Sequence, residues 1–376
     1  MTDPALAATG HERSRAMAPG AAASLRASSS PTANSKPDVR PARPEFSTGP
    51  TAKPPAWTPE QIIARFIPGR SHRSGPCKAQ LKQVIDTSSA LLGLPEGWIC
   101  AIVPASDTGA VELALWNFLR EARGADVLAF DAFSSGWAKD MKGPLGLTNL
   151  RIFEAGYGEL PDLSALDFDR DVVLTWNGTT AGTCLPNGDF IPVERKGLVI
   201  CDATSAAFAM QLPYDKLDVV TWSWQKSLGG EAGHGMIALS PAAQARLAEE
   251  APVRGLPKIF TVTKGGAVNG GLFKGATINT PSMLAVADHL VGLEWSKTIG
   301  GLDALIARVE ANAEAVAAHV AKSNAWAFLA KDPAIRSKTA LCLECIDPTF
   351  QALEVDAQKQ VLKALEARLA LSLIHI

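Results

Sequence analysis

A lysine and an aspartate, each set where an apolar run gives way to small and polar residues, are the first candidates for chemistry. Lys226 closes Thr221-Trp-Ser-Trp-Gln-Lys226 and is followed by Ser-Leu-Gly-Gly. A lysine leaving an apolar strand for a glycine-rich turn is placed for Schiff-base chemistry. Asp202 stands in Ile200-Cys-Asp-Ala-Thr-Ser205, and a carboxylate ending a buried strand is costly unless it meets a cation. Two cations fit: Lys226 itself, as a structural ion pair, or the protonated ring nitrogen of a coenzyme. Pro104-Ala-Ser-Asp-Thr-Gly-Ala110 lacks P-loop spacing. It suits either an anion at a helix N-terminus or a plain side-chain cap by Ser106, Asp107 or Thr108. Thr175-Trp-Asn-Gly-Thr-Thr-Ala-Gly182 is a fourth polar, glycine-rich strand end.

The elements that must position these groups follow from periodicity. Short apolar runs at Ile99–Val103, Val127–Phe130, Leu150–Glu154, Val172–Thr175, Leu198–Cys201, Val219–Ser223 and Met236–Leu239 read as strands. Helical patterns such as Gly109–Arg123 alternate with them, which predicts an α/β fold with a mainly parallel sheet sandwiched by helices. Residues 282–322 read as helix, with Leu302, Leu305, Ile306, Val309, Ala313 and Val316 on one stripe. A strand at 340–346 and a helix from about Asp356 predict a second, smaller C-terminal α/β domain. In such sheets ligands bind beyond the carboxyl ends of the strands, which is where all four clusters fall.

Composition excludes other classes. Lys+Arg 36 against Asp+Glu 38 leaves a formal charge of −2, with no surplus to neutralise nucleic-acid phosphates. No apolar run approaches the roughly 20 residues of a membrane span, and no signal-peptide core is visible, so a cytoplasmic protein is expected. The six cysteines are scattered, as buried small hydrophobes in a reducing compartment are. Cys342 and Cys345 form a CxxC, but no second ligand pair accompanies it, so no metal is expected.

An anion site, a buried acid and a strand-end lysine together are what pyridoxal 5′-phosphate requires. These motifs, with Phe46-Ser-Thr-Gly-Pro50, Gly69-Arg-Ser-His-Arg73, Phe133-Ser-Ser-Gly-Trp137 and Thr277-Ile-Asn-Thr-Pro281, resemble the phosphoserine aminotransferases. These are class V, fold-type I enzymes, and the likeness is to their alphaproteobacterial form, from about Arg43 to about Ala367. The resemblance implies a seven-stranded large domain and a smaller one. It implies that Lys226 holds the coenzyme and shuttles a proton, that Asp202 bonds the pyridine nitrogen, and that Thr179 lies near the phenolic oxygen. Trp137 would stack on the ring, its Ser-Ser-Gly setting predicting a loop with an exposed face. Asp107, Thr108 and Gln225 match the phosphate cup. Asn279 and Thr280 would reach the same phosphate from a neighbouring subunit, implying a homodimer. His72 and Arg73 would receive the substrate's phosphate, and Lys264 is held loosely in reserve because Thr108 stands where some relatives carry an arginine. The implied reaction moves an amino group from L-glutamate to 3-phosphohydroxypyruvate, giving O-phospho-L-serine and 2-oxoglutarate. The family often also aminates 3-hydroxy-2-oxo-4-phosphooxybutanoate on the route to pyridoxine.

The ends read differently from the middle. Residues 1–44 hold 11 Ala, 6 Pro and 6 Ser, too few large apolar groups to offset ordering, and are expected to be disordered. Residues 45–300 are assigned to the large domain and 301–370 to a partial small domain. Residues 371–376, Leu-Ser-Leu-Ile-His-Ile, read as the translation of a sequencing adaptor. On that reading a stretch carrying the family's carboxylate-binding arginine is missing, and weak coenzyme binding with poor or no transamination is expected. Three alternatives stay open. A serine–glyoxylate-type aminotransferase would keep Lys226 and Asp202 but not need His72-Arg73. A cysteine desulfurase would need a reactive cysteine on a loop. A non-catalytic fragment would bind pyridoxal phosphate without turnover.

Overall fold

The computed structural model describes residues 51–55, 57–250, 252 and 255–374, with side chains as far as residue 368. The expectations for residues 1–44, for Phe46–Pro50 and for the last two residues lie outside the described residues.

All seven expected strands form and join one sheet. In chain order, helices α1 (Pro59–Ile63) and α2 (Gly75–Leu92) precede β1 (Ile99–Pro104), α3 (Ser106–Phe118), β2 (Ala125–Ala129), α4 (Ala132–Lys142), β3 (Leu150–Glu154) and β4 (Asp171–Thr175). A small hairpin, β5 (Asn177–Gly178) and β6 (Thr183–Cys184), is followed by β7 (Val199–Asp202), β8 (Val219–Ser223), β9 (His234–Leu239) and α5 (Pro241–Glu249). The sheet order is β1-β9-β8-β7-β4-β2-β3. The pairs from β8 through β3 are parallel, and β9 runs antiparallel to both its neighbours. A second hairpin, β10 (Thr263–Lys264) and β11 (Ala267–Val268), leads to α6 (Met283–Thr298) and α7 (Gly301–Val320). Last come β12 (Trp326–Phe328) paired with β13 (Leu343–Cys345), α8 (Pro348–Gln351) and α9 (Val355–Ile374).

The sheet is apolar on both faces because successive strand residues point to opposite sides. Cys100, Ile102, Val220, Trp222, Met236 and Ala238 enter one apolar cluster. Their neighbours Ala101, Val103, Val219, Ile237 and Leu239 enter the other. This is the burial a parallel sheet needs when helices cover both faces. Each fully buried Leu or Ile contributes about 1.5–3 kcal/mol relative to exposure.

Three boundaries differ from the sequence reading. The helix expected at Gly109–Arg123 occupies Ser106–Phe118, because Ala105 and Ser106 take left-handed φ of 64° and 52° and turn the chain directly off β1. The long helical run is two helices, broken where Gly300 and Gly301 adopt φ of 113° and 76°. The expected strand at 340–346 is only Leu343–Cys345. In α7 the predicted stripe is realised with Leu305 buried and Leu302, Ile306, Val309, Ala313 and Val316 half-buried.

The described chain divides into two compact units. The larger runs up to Ala321 and includes Trp326–Glu344; the smaller takes Lys322–Ala325 and the residues from Cys345 on. In the smaller unit Asp347 caps α8 by accepting from the backbone N–H groups of Thr349 and Phe350. Among the described residues no helix is long and apolar enough to cross a membrane.

Candidate active site

The topology gathers the four clusters at one edge. In the parallel register Thr175 of β4 lies beside Asp202 of β7, which lies beside Thr221 of β8. The residues just beyond these strand ends, and beyond β1, therefore meet in one place. Asp107, Phe133, Thr175, Asn177, Thr179, Asp202, Thr204, Ser205 and Lys226 line a single open cleft.

Asp202 is 6% exposed and accepts from three neutral donors. Oδ1 takes the Thr204 N–H at 3.0 Å and its hydroxyl at 2.6 Å, and Oδ2 takes the Trp137 Nε1–H at 3.0 Å. Burial pushes the carboxyl above its usual range, the donors oppose that, and the charge of Asp107 adds to it. Neutral donors thus satisfy its geometry without balancing its charge. Among the described residues no cation lies within ion-pair distance of Asp202, so the Asp202–Lys226 pair weighed from the sequence does not form. The acid is suited to a positively charged ligand group.

Lys226 emerges from β8 by a turn fixed on several sides. The N–H groups of Gly229 and Gly230 donate to the carbonyls of Lys226 and Trp224 at 2.8 and 2.9 Å, and Thr51 N–H donates to the Gln225 carbonyl at 2.8 Å. Gly229 has φ of 62°, and a Cβ there would stand 2.3 Å from the Ala52 carbonyl oxygen, so only glycine fits. Behind the turn the Trp224 ring is stacked between His234, at 4.4 Å, and His289, at 4.6 Å. His234 Nε2 also accepts the N–H of Ser282, at the start of α6.

Burial lowers the His234 imidazole to about 4. Burial first, and then the charges of His234 and Lys53, lower His289 to about 3. Both are therefore neutral in the folded state. As pH falls below their ordinary value of 6.5, the unfolded chain binds protons that the folded chain refuses, and stability is lost progressively down to those lowered values. The melting temperature is expected to drop by several degrees between about pH 7 and about pH 4.5, and His289→Phe is expected to flatten that slope. Equal slopes in wild type and variant would refute the assignment.

The strand-to-helix turn after β1 is strained by its two left-handed non-glycine residues, a feature that collects at ligand sites. The α3 N-cap is Ala105, with no side-chain cap bond. The plain cap by Ser106, Asp107 or Thr108 is therefore not what these residues do. Instead Asp107 Oδ1 accepts from Gln225 Nε2 at 2.9 Å and from the Ser223 hydroxyl at 3.4 Å. That bond sets the Gln225 amide and leaves its buried Oε1 unpartnered among the described residues. Gly235 keeps β9 against this turn, since a Cβ there would stand 2.2 Å from the Ser106 carbonyl oxygen.

Of the residues expected from the sequence, Asp107, Thr179, Asp202 and Lys226 line the cleft. Gln225 joins them through Asp107, and Thr108 is exposed beside it. His72, Arg73, Asn279 and Thr280 do not line it; His72 is half-buried and the other three are exposed. Trp137 differs from expectation. It lies within α4, not a loop, because Asp131 caps that helix through the Ser134 N–H, and it is 5% exposed. Its indole nitrogen is committed to Asp202 rather than presented to the cleft. Phe133, one turn earlier, is 43% exposed and lines the cleft.

Sequence reasoning left Thr175, Asn177, Thr204 and Ser205 without roles. The signals were present. Thr175, Asn177 and Thr179 are polar residues spaced two apart just past an apolar run, and Asp202-Ala-Thr204 has the spacing at which an Asp accepts from the residue two positions on.

A doubly covered, mainly parallel sheet, with an acid and a lysine beyond adjacent strand ends, defines the fold class of the pyridoxal phosphate-dependent aminotransferases. Solved structures agree in fold. Phosphoserine aminotransferase from Bacillus circulans subsp. alkalophilus superposes with a TM-score of 0.67 at 20% identity, covering 86% of this chain and 88% of that one. The pyridoxal phosphate-bound enzyme from Trichomonas vaginalis gives 0.68 at 19% identity, covering 86% and 89%. No family model matches the chain. Phosphoserine aminotransferase of Methanosarcina barkeri is 50% identical over 331 residues, 88% of this chain and 87% of the relative, and that of Methanosarcina mazei is 51% identical over 332 residues with the same coverage. The chain belongs to the phosphoserine aminotransferase family.

Proposed function

We propose that the cleft binds pyridoxal 5′-phosphate and transfers the amino group of L-glutamate to 3-phosphohydroxypyruvate, yielding O-phospho-L-serine. The observation that carries the reading is a buried acid with no cationic partner among the described residues, in one cleft with a lysine that is not paired to it. When bound, the coenzyme supplies an electron sink for charge developing at the substrate α-carbon. Asp202 would hold the ring nitrogen protonated, the two Thr204 donors keeping its carboxylate in place. Lys226 would anchor the coenzyme, and its Nζ would take the α-proton and return it. Thr179, whose hydroxyl lies 3.3 Å from that of Ser205, would meet the phenolic oxygen. Gln225 and the turn at Asp107 and Thr108 would meet the coenzyme phosphate.

His72, Arg73, Asn279 and Thr280 stand outside the cleft of their own chain, which favours a homodimer in which they serve a partner's cleft. Arg73 and His72 would there bind the substrate phosphate, the arginine fork matching its oxygens. The division of labour between residues 45–300 and 301–370, a cytoplasmic setting and a role in serine and pyridoxine synthesis belong to the same reading. The test is a coupled assay with 2-oxoglutarate as acceptor, comparing O-phospho-L-serine with L-serine as donor. Turnover with phosphoserine alone is expected; preference for serine would replace this function with that of another class V aminotransferase.

A further inference from the structure

We propose that His289 is a positioning residue for Lys226, its ring face holding Trp224 and thereby the turn from which the lysine side chain enters the cleft. The inference rests on the reading of Lys226 as the amine that carries the coenzyme. Trp224 stands just before Gln225 and Lys226 and is 1% exposed. Its ring is flanked on both faces, by His234 at 17° from parallel and by His289 at 9°. Polar bonding does not explain the His289 ring. It is 1% exposed, and neither of its nitrogens has a hydrogen-bond partner among the described residues. A buried polar ring left so is costly, and its flat face against Trp224 is what it contributes in return.

The helix that carries His289 also meets the lysine turn directly. Asp288 Oδ2 accepts the Glu231 N–H at 2.9 Å and is paired with Lys53 Nζ at 2.8 Å. A Cβ on Gly230 would stand 2.9 Å from His289 Nδ1, and one on Gly292 would stand 3.0 Å from the Leu228 carbonyl oxygen. The start of α6 is tied to the same stack, because the Ser282 N–H donates to His234 Nε2 at 3.2 Å. So α6 lies against the turn after Lys226, at Leu228, Gly230 and Glu231, and through His289 against Trp224 before it. A lysine gripped on both sides has its root fixed, and reaction at its amine depends on where that root stands.

The test compares His289→Leu with His289→Phe. Both remove the ring nitrogens and fill the space with an apolar side chain, and only Phe keeps a flat face. Apoprotein is mixed with increasing pyridoxal phosphate and the growth of the lysine-linked absorbance band is followed by stopped flow. Then kcat and KM are measured with O-phospho-L-serine and 2-oxoglutarate. His289→Leu is expected to slow band formation at saturation, and kcat, by about tenfold each, while the half-saturating coenzyme concentration and KM stay within about twofold. His289→Phe is expected to restore both rates to within about twofold of wild type. In a chain that forms the band without turnover, the band rates alone decide. The inference is overturned if the two variants have equal rates, or if Leu raises the half-saturating concentration and leaves the rates alone. It is overturned too if either variant fails to fold, since the ring then serves stability. A wild-type chain that forms no band overturns the proposed function as well, so the two failures are distinguishable.

Discussion

Lys226→Ala is expected to abolish the coenzyme's protein-linked absorbance band and to lower transamination by at least 10³-fold, within the range of about 10²–10⁴ for a lost general base and more where a covalent anchor goes too. The fold should not notice. Lys226 is half-buried and makes no ion pair among the described residues, and its turn is held by backbone bonds at Gln225, Gly229 and Gly230 that alanine leaves in place. The apoprotein melting temperature is therefore expected to match wild type. That combination separates a chemical lysine from a structural one, because a structural lysine would lose stability and activity together. A variant that keeps the band and turns over at near wild-type rate would remove Lys226 from the mechanism.

The second large effect belongs to Asp202→Asn. The substitution keeps the shape and deletes the charge. If the carboxylate's task is to keep a ligand nitrogen protonated, kcat/KM should fall by about 10²–10³, the cost of removing one preorganised electrostatic partner. Stability should move far less, and in a direction the hydrogen bonds dictate. The Thr204 N–H and hydroxyl and the Trp137 indole all donate to the carboxylate, and asparagine offers only one acceptor atom to them. One donor loses its partner, at about 1–3 kcal/mol, while burial no longer penalises a charge, so the net loss should sit at or below the low end of that range. Steady-state kinetics and thermal melting of the same preparation check both halves. Unchanged kinetics would contradict the role of Asp202.

Much of this site was legible in the sequence because strand ends are local. Asp202 and Lys226 announced themselves as charges following apolar runs, and adjacency in the parallel sheet then brought them together. The positions of the seven strands were equally plain, since both faces of the sheet are apolar and the runs are near-continuous. What was not legible depends on φ or on tertiary packing. Ala105 and Ser106 in left-handed conformation move the start of α3 by three residues, and neither is a residue that advertises such a φ. The Ser-Ser-Gly context of Trp137 predicts a loop aromatic. The Asp131 cap, three residues before Ser134, instead starts a helix through that context and turns the indole inward. The His234–Trp224–His289 stack joins residues 10 and 65 positions away from Trp224, and no spacing rule finds such a contact. His72 and Arg73 lie outside the cleft for a related reason: their carry-over from the family matches sequence positions, which do not fix where a loop sits in the fold.

We propose that Lys226 carries pyridoxal phosphate. It is tested most directly by loading the protein with the coenzyme, reducing with borohydride, and locating the modified peptide by mass spectrometry. A single pyridoxyl group is expected, on Lys226, absent from the Lys226→Ala variant. Modification of a different lysine, or none in a chain that retains turnover, would contradict it.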